Sequence, residues 1–361
     1  MKEYYSPSDF IKSPKYNAHI HYHTFDDLFL RKAKRINMSL LTINTDLNLL
    51  PIDTQFEVSQ SLHERHPESF NYLCTFDSTA FASEEFAENT IKHIKNCMEA
   101  GAKGVKIWKN IGMLLKNERG EYVMADDPVF APIFAFLEKE KIPLMAHLGE
   151  PRNCWLPLES ITTYSDMRYF SKNPLYHAYL NPEMPSYERQ MMAQDQILER
   201  YPELIYIGAH LGSKEWNLEE VAKMFDRFPN FCVDLTGRFD HIFEQTLRDK
   251  NQVINFFEKY HNRIMYGTDC VVSVNTRWGW LNLFSRQLPK VCMNLLFEYS
   301  YSVVKRHWLF LATDKVIKTG RITNKPDSPK QIQGLKLSKN VVDDIFYNNA
   351  IYIYKKWKCQ S

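Results

Sequence analysis

Eight short, nearly continuous apolar runs recur at residues 16–23, 38–44, 71–76, 102–108, 142–147, 204–210, 231–235 and 263–269. The segments between them (24–37, 55–66, 83–100, 128–140, 186–201, 218–228 and 241–260) space their apolar positions as amphipathic helices do. Gly101 follows the third of these segments in the C-cap position. Strands this short and this uniformly apolar are expected to be parallel and buried on both faces. The alternation predicts an α/β fold, a (β/α)8 TIM barrel forming one domain over residues 1–361. A doubly wound open sheet fits less well, because no glycine-rich phosphate loop follows the first strand. Three stretches break the rhythm. Residues 148–185 form a long aromatic- and proline-rich connection, of the kind that is functional when it occurs inside a compact domain. Residues 318–333 read as a polar, proline-containing loop. Residues 281–311 read as one or two helices and 338–356 as a terminal helix, giving a C-terminal helical extension over about 281–361. No internal repeat or low-complexity tract occurs.

Composition narrows the classes of function. With 44% hydrophobic and 14% aromatic residues the chain has ample material for a core. A net charge of +2, with basic and acidic residues matched along most of the length, argues against a nucleic-acid backbone as partner. No apolar stretch approaches the ~20 residues of a membrane span, and residues 1–14 are polar, without the core of a signal peptide. The expected compartment is the cytoplasm. Seven scattered cysteines suit reduced thiols there, and Cys154 and Cys270 read as small packing residues.

Polar residues fall at telling places. His19 and His21 stand two apart on the first strand, so both imidazoles face one side. His147 ends the fifth strand, His210 the sixth and Asp269 the eighth. In a barrel these ends gather at the C-terminal face, where active sites are built. One histidine at a strand end is more often structural, but five such residues on four strands point to a divalent metal centre. Lys106 and Lys109 lie at the end of the fourth strand, and which of them points inward depends on register. Arg238, just past the seventh strand, suits a substrate carboxylate or phosphate; a salt bridge to Asp234 or Asp240 is the plainer alternative. Glu150, Arg152, Trp155, Tyr164, Tyr169 and His177 on the long connection suggest a lid or a ring-stacking wall, or else packing onto the barrel. His23 is expected beyond the strand, as a loop residue near the substrate.

Ala18-His19-Ile20-His21, Ala146-His147-Leu148-Gly149, Gly208-Ala209-His210-Leu211-Gly212 and Tyr266-Gly267-Thr268-Asp269 resemble the metal-site motifs of the amidohydrolase superfamily, in its amidohydrolase 2 branch. Asn348-Asn349-Ala350 is similar to that branch's closing segment. The resemblance implies His19, His21, His147 and Asp269 as ligands of one divalent ion, zinc or else manganese, with His210 beside it. Three neutral imidazoles and one carboxylate leave a +1 site able to acidify a water to a pKa near ~7. It implies Asp269 and His210 as proton-transfer residues, and Arg238 and Lys106 as substrate contacts. Lys106 is also where binuclear members carry a carbamylated lysine bridging two ions; one ion is expected here rather than two. Asn17 departs from the branch, which usually has Asp at that position; the swap removes a charge but no ligand.

The expected activity is hydrolysis of an ester, lactone or amide in a small, carboxylate-bearing molecule. The alternatives are a non-oxidative decarboxylase of the same branch, similar to aminocarboxymuconate semialdehyde decarboxylase, and a barrel that binds a ligand without chemistry. A homo-oligomer is compatible with the sequence; a membrane or nucleic-acid partner is not expected.

Overall fold

The structure, a computed structural model, describes residues 3–46, 50–273 and 289–354. Its frame is a ring of parallel strands: β1 (Lys15–Tyr22), β2 (Met38–Ile43), β3 (Phe70–Leu73), β4 (Val105–Ile107), β5 (Leu144–Ala146), β6 (Tyr206–Gly208), β7 (Phe231–Asp234) and β8 (Ile264–Met265). A short β9 (Cys270–Val272) continues β8 and pairs with β1 through Ile20↔Cys270. The strands form two arcs, β3-β2-β1-β9 and β4-β5-β6-β7-β8. The backbone joins both seams. Cys74 bridges Val105 between β3 and β4, and the Ala18 amide donates to the Tyr266 carbonyl at 2.9 Å between β8 and β1. This is the expected (β/α)8 barrel.

Side-chain parity divides the apolar strand residues into two sets. Tyr16, Ala18, Leu41, Ile43, Leu73, Met145, Ile207 and Met265 meet inside the barrel, where Ala350, Ile353 and Tyr354 of the C-terminal helix join them. Leu40, Tyr72, Val105, Leu144, Tyr206 and Phe231 face the surrounding helices. Those helices carry matching stripes, such as Phe86, Thr90, Ile94 and Cys97 on Phe86–Glu99. Gly101 ends that helix at φ +102, and an added Cβ there would stand 2.9 Å from the His63 ring. Asn349 ties the terminal helix to the ring by donating to the carbonyls of His261 and Ile264 at 2.7 and 2.8 Å.

Several expectations are corrected. The eighth run does not stay a strand to Asp269: it leaves β8 after Met265, and Asp269 itself is left-handed at φ +61. Residues 241–260 are helical as expected, in two helices rather than one continuous run. Asp249 is extended, and its carboxylate caps a new helix by accepting from the Gln252 amide at 3.0 Å, so Phe239–Arg248 and Lys250–Tyr260 are separate. The polar stretch 318–333 is closed by a two-stranded antiparallel pair, Val316–Lys318 with Gln331–Gln333. A single helix, Pro289–Ala312, accounts for the described part of 281–311; residues 281–288 lie outside the described residues. The terminal helix forms as expected over Lys339–Tyr354, with a π turn at Asp344–Asn348 inside it; residues 355 and 356 again lie outside.

The long connection 148–185 is ordered by its own small core of Cys154, Ile161, Phe170 and Ala178. Its aromatic and charged residues mostly pack it down. Trp155 donates to the Pro185 carbonyl, His177 bonds the Leu156 carbonyl, Arg152 lies over Trp216 and Arg321 over Tyr164. Cys154 is buried, with its thiol directed at the Tyr176 carbonyl, as a packing residue would be. The helix Tyr164–Lys172 within the connection is fastened to Phe239–Arg248 by a buried pair, His241 Nε2 to Asp166 Oδ2 at 2.9 Å, with Asn153 donating to the same carboxylate oxygen.

That pair should make stability depend on pH. Burial opposes charge on both partners. Burial is the largest single influence on each, but for Asp166 the charge and hydrogen bond of His241, with Arg238 and Asn153, together outweigh it and hold its pKa at about 2, below the usual 3.8, while Asp166, helped by Glu215, raises His241 above the usual 6.5. The carboxylate's contribution is present above pH 3.8 and lost as pH falls toward 2; the imidazole's is full below 6.5 and lost as pH rises through its raised value. Replacing His241 by Gln is expected to reduce stability by about 3 kcal/mol near pH 5.5. Urea unfolding across pH should show that deficit shrinking toward pH 9; a deficit that grows with pH would contradict the pairing.

Candidate metal centre

The first strand carries its histidines inward because it contains an irregularity. Asn17 is opposite Leu40 and Ile20 opposite Thr42, so β1 advances three residues while β2 advances two. Before the slip Tyr16 and Ala18 face the barrel interior; after it Ile20 and Tyr22 face outward and His19 and His21 take the inner side. Both imidazoles then approach one carboxylate: His19 Nε2 is 3.5 Å and His21 Nε2 3.3 Å from Asp269 Oδ1. Asn17 supports that carboxylate from below. It donates to Thr268 Oγ1 at 2.8 Å and accepts from the Thr268 amide at 3.0 Å, so its role is structural, as expected for a residue that is not a ligand.

His210 reaches the same point by an unusual path. Residues His210, Leu211, Gly212 and Ser213 all have positive φ, near +60°, giving a left-handed turn directly after β6. Such a backbone is disfavoured by about 1–2 kcal/mol for each residue with a Cβ, and it is clamped on several sides. Asp234 accepts from the His210 amide at 2.9 Å, Tyr187 donates to the Ser213 carbonyl at 2.8 Å, and Ser213 Oγ donates to the Leu148 carbonyl at 2.7 Å. The turn sets the His210 ring 4.2 Å from that of His147 and 5.0 Å from that of His19, between centroids.

Hydrogen bonds fix which nitrogen faces inward. His210 Nδ1 donates to the Thr236 carbonyl at 2.8 Å and His19 Nδ1 donates to Asp234 Oδ2 at 2.7 Å, leaving each Nε2 with its lone pair free. Burial, the largest influence in each case, holds His19, His147 and His210 neutral, with pKa values below the usual 6.5. The hydrogen bond from His21 keeps Asp269 ionised, with its pKa well below the ordinary 3.8. Its side chain is 42% exposed, so it faces the mouth of the site. The donor set suits a divalent cation. Ligand atoms of His19, His210 and Asp269 lie within 4.8 Å of one another, and His147 Nε2 is buried without a hydrogen-bond partner among the described residues.

The remaining sequence candidates separate. Lys106, not Lys109, points inward: it is fully buried in register with Met145, its Nζ has no hydrogen-bond partner among the described residues, and burial lowers its pKa to about 8 against the pull of Asp234 and Asp269. Lys109 instead makes a tight ion pair with Glu150. Arg238 lies at the same face with its Nε 3.8 Å from Glu215 Oε2, so its partner is neither Asp234 nor Asp240. His23 follows β1 with its amide still bonded to the Val272 carbonyl, and burial takes its pKa down to about 4. Asp234 is the residue that sequence reasoning passes over as a functional group. Its place at the end of an apolar strand, in phase with Cys232, is the available signal.

An amidohydrolase family model matches residues 78–356, a span that contains His147, His210 and Asp269; His19 and His21 precede it. No curated protein matches the chain. Among solved structures, the 2,6-dihydroxybenzoate decarboxylase from Rhizobium is similar in fold, with 13% identity, 95% of this chain and 99% of that one covered, and a TM-score of 0.50. An uncharacterised TIM-barrel protein from Bordetella bronchiseptica has 12% identity over 92% of this chain and 83% of that one, TM-score 0.49. The 4-oxalomesaconate hydratase from Rhodopseudomonas palustris has 9% identity over 91% and 80%, TM-score 0.45.

Gly267 allows a direct test of the geometry. A Cβ there would stand 2.1 Å from Thr236 Oγ1 and 2.7 Å from His19 Cβ, so Gly267→Ala must displace Thr236, His19 or the backbone between β8 and β1 from their places in the site. A loss of roughly 10- to 100-fold in zinc affinity is expected by calorimetry. Unchanged affinity in a folded variant would show that the site is not built as described.

Proposed function

From the premise that the chain belongs to the amidohydrolase family, whose model covers residues 78–356, we propose that it is a metal-dependent hydrolase. The proposed substrate is a small molecule bearing a carboxylate, cleaved at an ester, lactone or amide bond. One observation carries the reading: imidazole nitrogens from separate strands, held neutral with their outer nitrogens occupied, converge on one ionised carboxylate. His19, His21, His147 and Asp269 would hold one divalent ion, zinc or else manganese, with His210 adjacent. When bound, such an ion polarises an acyl oxygen and acidifies a water. Asp269, ionised and open to the mouth, accepts the proton that the attacking water loses. His210 Nε2, fixed as the free nitrogen by the bond from Nδ1 to Thr236, takes that same proton on from Asp269 and delivers it to the leaving atom as the acyl bond breaks, so one proton moves from water to leaving group. Arg238, at the rim, is the group for a substrate carboxylate, with Glu215 aligning its guanidinium.

A second reading, non-oxidative decarboxylation, draws on the buried ammonium of Lys106, which has no hydrogen-bond partner among the described residues and suits a carboxylate about to depart. The fold likeness to 2,6-dihydroxybenzoate decarboxylase makes that class worth assaying. A panel of lactones, esters, amides and aromatic acids, with zinc or manganese added, separates the two by product carboxylate against released carbon dioxide. Hydrolysis is the expected result; carbon dioxide release with no hydrolysis would reverse the order. Elemental analysis should give one ion per chain, and two would indicate a bridging Lys106. Asp269→Asn is expected to lose activity by at least ~1,000-fold. His210→Asn should keep the metal while losing roughly 100-fold or more in rate; loss of the ion in that variant would make His210 a ligand.

A further inference from the structure

Among the described residues Asp234 accepts three hydrogen bonds, from His19 Nδ1 and the His210 and Thr236 amides. It is fully buried at the end of β7. Oδ2 accepts from His19 Nδ1 at 2.7 Å, while Oδ1 accepts from two backbone amides, His210 at 2.9 Å and Thr236 at 3.0 Å. One carboxylate therefore touches the side chain of one inward imidazole and the backbone of another. Thr236 in turn supplies the carbonyl that accepts from His210 Nδ1 at 2.8 Å, so both imidazoles are oriented by the segment Asp234–Thr236.

We propose that Asp234 is a positioning residue: it selects the Nδ1–H form of His19, turning Nε2 into a ligand atom, and holds the left-handed backbone that aims His210. The proposal rests on the metal-centre reading above, and adds to it the group that prepares the protein for the ion before the ion arrives. Carboxylate oxygens only accept, so an imidazole facing one must present N–H to it. The two oxygens differ in burden, and this predicts how an isosteric amide would sit. The Oδ1 position faces two N–H donors and the Oδ2 position one. In Asp234→Asn the amide oxygen therefore stays with the backbone pair and the amide NH2 turns to His19. His19 Nδ1 must then accept, its proton moves to Nε2, and the nitrogen facing the site loses its lone pair.

The experiment is nitrogen-15 NMR of histidine-labelled, metal-free full chain, with His19 assigned by its absence in His19→Gln, joined to calorimetric titration with zinc chloride. Wild type should show His19 protonated at Nδ1. Asp234→Asn should show it protonated at Nε2, with zinc affinity reduced roughly 10- to 100-fold, and Asp234→Glu should restore part of both. A role confined to folding would lower the melting temperature without inverting the tautomer. Wild-type His19 protonated at Nε2, or an Asp234→Asn protein with unchanged tautomer and zinc affinity, overturns the proposal. Should Asp234→Asn not fold, the wild-type tautomer alone still decides. If wild type binds no divalent ion, the metal reading falls instead, and the tautomer measurement still tests Asp234 independently.

Discussion

The site depends on one constraint: four consecutive residues after β6 turn the wrong way for L-amino acids, and something must hold them there. His210, Leu211, Gly212 and Ser213 all lie in the left-handed region, and only one is glycine. At about 1–2 kcal/mol for each residue with a Cβ, the turn would relax unless its polar groups were claimed by neighbours. Asp234 claims the first amide, and Tyr187, Gln194 and Ser213 Oγ fasten the rest to the helix Tyr187–Arg200 and to the chain just after β5. Such strain persists where the surroundings over-determine it, which is characteristic of functional sites. Here its effect is to return the chain across the mouth of the barrel, with His210 beside His147 and His19.

The barrel supplies the second requirement, that side chains from distant parts of the chain share one direction. Parity along each short strand sends alternate residues inward, and the lower interior is filled by apolar residues from most of the strands and by the C-terminal helix. Above that layer the inward positions turn polar: Lys106 on β4, His147 after β5 and Asp234 on β7 continue the series begun by Met145 and Cys232. On β1 the apolar layer and the polar layer would be out of phase. The slip between Asn17 and Ile20 corrects it, letting Tyr16 and Ala18 fill the floor while His19 and His21 line the site. The one irregularity in that strand thus separates the stabilising end of the barrel from its reactive end.

Much of this is legible in the sequence. Apolar runs of strand length alternating with helical segments point to the barrel, because parallel strands buried on both faces leave that signature. His19, His21, His147, His210 and Asp269 stand out because each interrupts or ends such a run. What stays hidden has physical reasons. The left-handed turn uses His210, Leu211 and Ser213, residue types that do not announce positive φ, and its clamps come from residues far along the chain. Whether Lys106 or Lys109 faces inward depends on register, which pairing with Met145 decides. Asp234 reads as a salt-bridge acid, since nothing local shows that its acceptors would meet His19 across 215 residues. The hairpin over 316–333 escapes the pattern because each strand is three residues long and buries only one apolar residue, Ile317 or Ile332.

The charges inside the barrel follow a consistent rule. A buried ion is tolerated where several donors or an opposite charge surround it. Asp234 meets this condition fully, with three donors, and Asp166 does with His241 and Asn153. Lys106 does not: its ammonium has only the more distant fields of Asp234 and Asp269, and its pKa is correspondingly depressed to about 8. His147 Nε2 is in the same position, a polar atom with no partner among the described residues. Asp234, which positions the site, is thus satisfied by the protein alone, whereas Lys106 and His147, which line it, are not. In a packed interior that asymmetry is costly without a ligand, and it marks Lys106 and His147 as the sides from which an ion and a substrate anion would complete the structure.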